Sequence, residues 1–195
     1  MLHDILQHKE IILASGSPRR QQFFKDLLIP FTTDVRPVIE TYPNELKGTE
    51  ITDYLAKLKA TVFTELTAKQ ILITSDTIVS NNGKAMGKPR TINEAKEMLV
   101  SLSGKTHSVE TSVCFTTTSQ QKIVHSSTQV TFKVLTEAEI DFYVENYKPF
   151  DKAGGYAIQE WIGFIGITHI EGSYFNVVGL PTHLVYETLT ELASV

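Results

Sequence analysis

Apolar residues along this chain alternate between continuous strand-like runs and helical spacings. Ile11-Ile12-Leu13-Ala14 is a short apolar run that leads into Ser15-Gly16-Ser17-Pro18-Arg19-Arg20, the pattern of a buried strand feeding a helix. Ser17 suits the N-cap and Pro18 the first helical position, where a missing N–H costs nothing. Phe23, Phe24, Leu27 and Leu28 then recur on one predicted helical face. Phe31 to Val35 reads as a short strand, and Tyr42-Pro43-Asn44 and Gly48 mark a loop. Ile51, Leu55, Leu58 and Val62 predict a helix over about 50–66.

Ile71-Leu72-Ile73-Thr74, continuing through Ser75-Asp76-Thr77-Ile78-Val79, predicts a buried strand, and Asn81-Asn82-Gly83 a hairpin turn. Thr91-Ile92-Asn93-Glu94 is a capping box ahead of the stripe Ala95, Met98, Leu99 and Leu102. Val109, Thr111, Val113 and Phe115 alternate as a half-buried strand does, and 122–134 forms its hairpin partner across a loop near Ser119. A second capping box, Thr136-Glu137-Ala138-Glu139, opens a helix with Ile140, Tyr143, Val144 and Tyr147 on its apolar face. Trp161 to Ile170 reads as strand-like, and Pro181 can start a last helix with Leu184, Val185, Thr188, Leu189 and Leu192 inward. Strands interleaved with helices predict an α/β fold: a long, twisted, mixed sheet with helices around it and a cleft at strand ends, between two lobes.

The 195 residues suit a single domain with room for a sizeable core. At 42% apolar and 21% charged the composition is that of a water-soluble globular chain. A net charge of −4 supplies no general field for nucleic acid, so a polyanionic ligand needs a local group of cations. Cys114 is the only cysteine, which excludes an internal disulfide and fits a buried, inert thiol. The N-terminal MLHDILQHKE lacks the apolar core and cleavage site of a signal peptide, and no apolar run is long enough for a membrane span. A cytoplasmic protein without a membrane partner is expected.

Two stretches carry the strongest chemical signal. Arg19 and Arg20 lie in the first turn of a helix, beside free N–H groups and the positive end of the dipole, with Ser15, Gly16 and Ser17 leaving the backbone open to a ligand. That arrangement suits a phosphate-like anion; a solvated basic face is the competing reading. Asp76 sits within an apolar strand although Asp has poor strand propensity and an unpaired buried carboxylate is costly. A metal, a cation or backbone N–H groups at a strand end would each resolve that cost. Lys59 beside an apolar stripe and Glu40 in a loop read by themselves as solvated charges. Lys88 precedes Pro89, which favours an extended conformation. Gly154 and Gly155 after Asp151-Lys152 signal either a close backbone approach or a plain loop. His107 reads as a hydrogen-bonded structural histidine, and Asn176 and Gly179 as framework.

SGSPRR after the first strand, LAKLKA in the second helix, SDTIV, GKP, SGKTH and DKAGGYAIQ occur here in the order seen in the Maf family of nucleoside triphosphate pyrophosphatases, and the resemblance spans nearly the whole chain. It implies one Maf-like domain over 1–195, of the Maf/ITPase-like fold, that hydrolyses a nucleoside triphosphate to the monophosphate and pyrophosphate. By that resemblance Asp76 is the catalytic acid–base residue. Ser15, Ser17, Arg19, Arg20, Lys59, Thr77, Lys88 and Gln159 contact substrate, and Asp76 with Glu40 holds a divalent metal, Mg²⁺ or Mn²⁺. Lys152 is a candidate for the positive wall of the pocket. The family often has Glu where this chain has Leu58, and Ala where it has Gly155. A homodimer is common in the family.

DKAGGYAIQ and SGKTH resemble most the branch acting on dTTP and UTP, modified pyrimidine nucleotides included, which would keep unwanted nucleotides out of nucleic acid. Two rival readings keep the same pocket: a purine house-cleaning enzyme acting on ITP or XTP, and a nucleotide-binding regulator of cell division with incidental hydrolysis. The absence of GxxxxGK[ST] argues against a P-loop ATPase or kinase.

Overall fold

The computed structural model describes residues 1–193. Element order is α1 (Leu2–Ile5), a 3₁₀ turn, β1 (Glu10–Leu13), α2 (Pro18–Asp26), β2 (Thr32–Thr33), α3 (Thr49–Ala60), β3 (Gln70–Asn81), β4 (Lys84–Met86), α4 (Ile92–Leu102), β5 (Thr106–Thr116), β6 (Gln121–Phe132), α5 (Glu137–Tyr147), α6 (Trp161–Gly166), β7 (Ile167–Glu171), α7 (Tyr174–Val178) and α8 (Thr182–Ala193). Six strands run in the order β2-β1-β3-β5-β6-β7, with β4 on β3. β1 pairs in parallel with both β2 and β3, while β3–β4 and β6–β7 are antiparallel. This is the expected α/β class with a mixed sheet and helices.

The chain divides into two compact units, one of 1–76, 111–126 and 179–195, the other of 77–110 and 127–178. In the first, β1 feeds α2 and returns as β2 on one side of β1, while β3 lies on the other side. Connections therefore diverge at the carboxyl end of β1, beside the middle of β3, a switch point of the kind where open α/β sheets bind ligands. Ile11, Leu13, Ile71, Ile73, Val113 and Phe115 form one apolar face with Phe24 of α2 and Val185, Leu189 and Leu192 of α8. Leu72 points to the opposite face, against Ala60 and Phe63, so β3 is buried on both sides, as a parallel strand should be. In the second unit, Ala95, Leu99 and Leu102 of α4 pack with Ile140, Tyr143 and Val144 of α5 and with Val109, Val130, Phe132 and Ile162.

Several expectations shift. The strand expected over Phe31–Val35 is only Thr32–Thr33; Phe31 instead meets Phe24 edge to face, and Asp34 pairs with Arg36. The helix expected over 50–66 ends at Ala60, where the Leu58 carbonyl accepts from both the amide and hydroxyl of Thr61. Trp161 to Ile170 is not one strand: 161–166 is helical and 167–171 is β7. The apolar run was ambiguous between the two. Gly163 permits the helix, because a Cβ there would lie 1.9 Å from the Ile158 carbonyl oxygen.

Leu28 does not share the apolar face of α2. It has left φ (+55°) and is 72% exposed, while Ile29 takes the buried place. Leu28 N–H donates to Lys25 O and Ile29 N–H to Phe24 O, the two bonds of a Schellman helix end, at a position that favours glycine. Leu28→Gly should therefore stabilise the protein by about 0.5–1 kcal/mol, read as a raised urea midpoint at unchanged m-value; a lowered midpoint would contradict the strain.

His107 is buried, with Nε2 2.7 Å from the Tyr156 hydroxyl and its ring stacked on Phe132. Burial lowers its pKa from 6.5 to about 4, so it is a neutral structural histidine. The unfolded chain binds the proton first, so His107 adds stability that is complete above about pH 6.5 and is lost as pH falls toward 4, by up to about 3 kcal/mol. Urea denaturation across that range should show a shallower pH slope for His107→Gln than for the wild type; equal slopes would contradict the assignment.

Candidate active site

The first unit assembles its charged groups where β1 stops and β3 continues. Pairing of β1 with β3 ends at Leu13–Ile73, followed by the Ala14 N–H to Ile73 O bond. The chain then turns through Ser15-Gly16-Ser17 into α2, while β3 runs on to Ser75 and Asp76. Ser17 is the N-cap, accepting from the Arg20 amide at 3.4 Å, and Pro18 opens the helix, as expected. Ser15 is buried, and its Oγ accepts from the Ser17 amide at 3.3 Å.

Arg20 reaches back across this turn. Its Nε donates to Gly179 O at 2.8 Å and its Nη1 to Ser75 O at 3.1 Å. Arg20 is therefore a pin between the α2 start and two backbone carbonyls as well as a positive charge near Asp76. Burial lowers the guanidinium pKa, opposed by the attraction of Asp76, and an arginine remains charged under such a shift. Arg19 is half-exposed in the same turn, and its charge adds to the depression at Arg20.

Asp76 is 7% exposed. The Lys59 ammonium lies 2.6 Å from its Oδ1 and 3.3 Å from Glu40 Oε1, and 3.5 Å from Ser75 O. Lys59 reaches this point from the last turn of α3, whose inner face is held by Ile51, Leu55, Ala56 and Ala60. The lysine that its local sequence presents as a solvated charge thus joins two carboxylates from distant segments. Burial pushes the Asp76 carboxyl above the ordinary carboxylate value; Lys59 and then Arg20 oppose the rise, and Glu40 adds to it. Two carboxylates on one ammonium offer hard oxygen donors to a common small volume, a donor set that suits Mg²⁺ or Mn²⁺ when phosphate and water complete the shell. Among the described residues no third His, Cys, Asp or Glu joins them.

Ser75 is the contribution that motif reading missed. Its carbonyl receives both Arg20 and Lys59, and a backbone acceptor leaves no trace in side-chain pattern. Gly179, expected as framework, supplies the other carbonyl for Arg20.

Thr77, Lys88 and Gln159 belong to the second unit. Thr77 is half-buried, Lys88 is exposed ahead of buried Pro89, and Gln159 carries a buried Oε1 with no hydrogen-bond partner among the described residues. Lys152 differs from its expected part as a positive wall: it is buried, with its ammonium 2.7 Å from Asp151 and 3.3 Å from Glu160. Glu160 also accepts from the Tyr143 hydroxyl at 2.6 Å. Lys152 is thus an internal brace whose charge is already matched. Gly154 has φ +68°, and a Cβ there would meet Val79 at 2.9 Å, so the close approach signalled by the glycines is to the protein's own strand. Asn176 is framework, donating to Val109 O and Thr128 Oγ1 at 2.9 Å each.

The opposing influences on Asp76 can be read directly. In a ¹³C carboxyl titration Asp76 should titrate above the ordinary 3.8, and higher still in Lys59→Met, which removes the nearest stabilising cation. An unchanged or lower value in the variant would contradict the pairing.

A sequence model of the family described as "Maf-like protein" matches residues 10–192. A dTTP/UTP pyrophosphatase of Christiangramia forsetii is 64% identical over 98% of each chain. Proteins of the same name from Flavobacterium johnsoniae and Phocaeicola vulgatus are 55% and 48% identical, each over 98% of this chain and 100% of the relative. Among solved structures, a HAM1 protein from Coxiella burnetii has a TM-score of 0.52 over 94% of this chain and 99% of that one at 18% identity, a likeness of fold. With its switch-point cluster of arginine, lysine and paired carboxylates, and with this match along nearly its whole length, the chain belongs to the Maf-like protein family.

Proposed function

We propose that this protein is a nucleoside triphosphate pyrophosphatase that hydrolyses dTTP and UTP to the monophosphate and pyrophosphate. The observation that carries the reading is the buried Asp76 carboxylate held by Lys59 beside Arg20, midway along β3 and just past the carboxyl end of β1. The names of relatives at 48–64% identity support the pyrimidine substrates and favour hydrolysis over a purine-directed or purely regulatory role.

The chemistry follows from charge. Arg19, Arg20 and Lys59 supply cations for a polyphosphate on a chain of net charge −4, and guanidinium forks suit phosphate oxygens. Asp76, desolvated, is more basic than an exposed carboxylate and so is better able to orient and deprotonate a water. That water attacks the α-phosphorus, its proton passes to Asp76 and pyrophosphate departs. Lys59 and the arginines offset the negative charge that develops on the leaving phosphates. Asp76 and Glu40 would hold a divalent cation, which would supply Lewis-acid neutralisation of phosphate oxygens. Ser15 and Ser17 complete the anion-binding turn.

For Thr77, Lys88 and Gln159 as substrate contacts the support is the resemblance of their motifs, and the family match across both units supports one functional domain. A homodimer is carried by family resemblance alone. A cytoplasmic setting accords with the substrate class; among the described residues no helix is long and apolar enough to cross a membrane.

With Mg²⁺ or Mn²⁺ the purified protein should release pyrophosphate from dTTP and UTP faster than from ITP or XTP. Asp76→Asn should lose on the order of 10²–10⁴ in turnover while keeping the wild-type circular dichroism. Equal or faster purine turnover would overturn the pyrimidine assignment, and an active Asp76→Asn would overturn the role of Asp76.

A further inference from the structure

Glu40 must be held in place by something other than regular secondary structure, because residues 34–43 form neither helix nor strand. Local stiffness accounts for part of it: Thr41 N–H donates to Ile39 O at 2.9 Å, a tight turn with Glu40 at its apex. The stronger tie lies four residues earlier. Arg36 directs Nε and Nη2 to Asp34 Oδ2 at 3.1 and 2.9 Å, and Nη1 to Val62 O at 3.0 Å. Its guanidinium carbon sits 4.2 Å above the centre of the Phe63 ring. Phe63 is buried against Ala60 and Leu72, so the plane that Arg36 stacks on is fixed to the core.

Val62 and Phe63 directly follow the helix end that carries Lys59. One arginine therefore ties the segment ahead of Glu40 to the segment behind Lys59, and the Lys59–Glu40 distance of 3.3 Å spans the two tied arms. Lysine could not replace it, since a single ammonium cannot fork to a carboxylate, reach a carbonyl and stack a plane together.

We propose that Arg36 is a positioning residue that holds Glu40 at the Lys59–Asp76 centre. This rests on the proposed function, in which Glu40 serves the reaction. Arg36 touches no reacting group itself, so its effect must pass through Glu40.

The test is a double-mutant cycle on dTTP and UTP hydrolysis. Arg36→Met should lower kcat/KM about tenfold, the scale of a displaced active-site group, and raise the half-saturating Mn²⁺ concentration. Arg36→Lys should recover little, and it carries the test if Arg36→Met does not fold. Added to Glu40→Gln, either Arg36 substitution should cost no more than about twofold further, because the group it positions is already gone. Full additivity, or Arg36 variants with wild-type kcat/KM and metal dependence, would overturn the proposal while leaving the activity intact. A wild-type chain that releases no pyrophosphate would overturn the reading beneath it and the proposal as well.

Discussion

A carboxylate buried in a strand must be matched by positive charge, and around Asp76 that need organises the centre. Its Oδ1 lies 2.6 Å from the Lys59 ammonium, and the same ammonium reaches Glu40. Desolvation still wins, leaving the Asp76 carboxyl more basic than an exposed one. In the proposed reaction that basicity lets the side chain take a proton from water, while Lys59 favours its charged form. Neither property would follow from a carboxylate on the surface, where water would screen both the lysine and the penalty.

The fold supplies this arrangement through topology. β3 runs on past the end of β1, from the Leu13–Ile73 pair to Asn81, so Asp76 lies past the end of its parallel neighbour, beside the turn into α2. Arg20 ties that turn to Ser75 and Gly179 through their carbonyls. One arginine therefore draws together the strand that carries Asp76, the turn into α2 and the approach to α8. Lys59 arrives from the end of α3, and Glu40 from an irregular segment clamped by Arg36 onto Val62 and Phe63. Buried apolar faces on β1, β3, α2 and α3 set where Asp76, the two arginines and Lys59 stand.

Much of this was legible in the residues. The Ser17 cap with Pro18 behind it, the capping box at Thr136 and the oddity of Asp76 in an apolar run all act locally, and all stand in the structure; at Thr91 only the cap forms, because the Glu94 carboxylate turns to the Arg90 amide instead of the Thr91 amide. Lys59 and Glu40 were legible only by resemblance, because nothing near either one distinguishes it from a solvated charge. Features set by tertiary packing were not legible. Leu28 looked like one more apolar residue on a helical face, yet the chain needed a left-handed residue there so that Ile29 could be buried. The run from Trp161 lacked the alternation that separates strand from helix, and Gly166 within it took its meaning from Phe132 and Leu135, far along the chain. Lys152 was a candidate for the pocket's positive wall by resemblance, and its pairing with Glu160 arises only in the folded loop.

The most direct measurement is a crystal structure of the protein with Mn²⁺ and a non-hydrolysable α,β-imido analogue of dTTP or UTP, with the metal located by its anomalous signal. The predicted result is an anomalous peak within coordination distance of Asp76 and Glu40, with the triphosphate oxygens against Lys59 and the arginines at the start of α2. An analogue bound elsewhere, with Lys59 still joining Asp76 and Glu40 and no metal beside them, would contradict the assignment of this centre to catalysis.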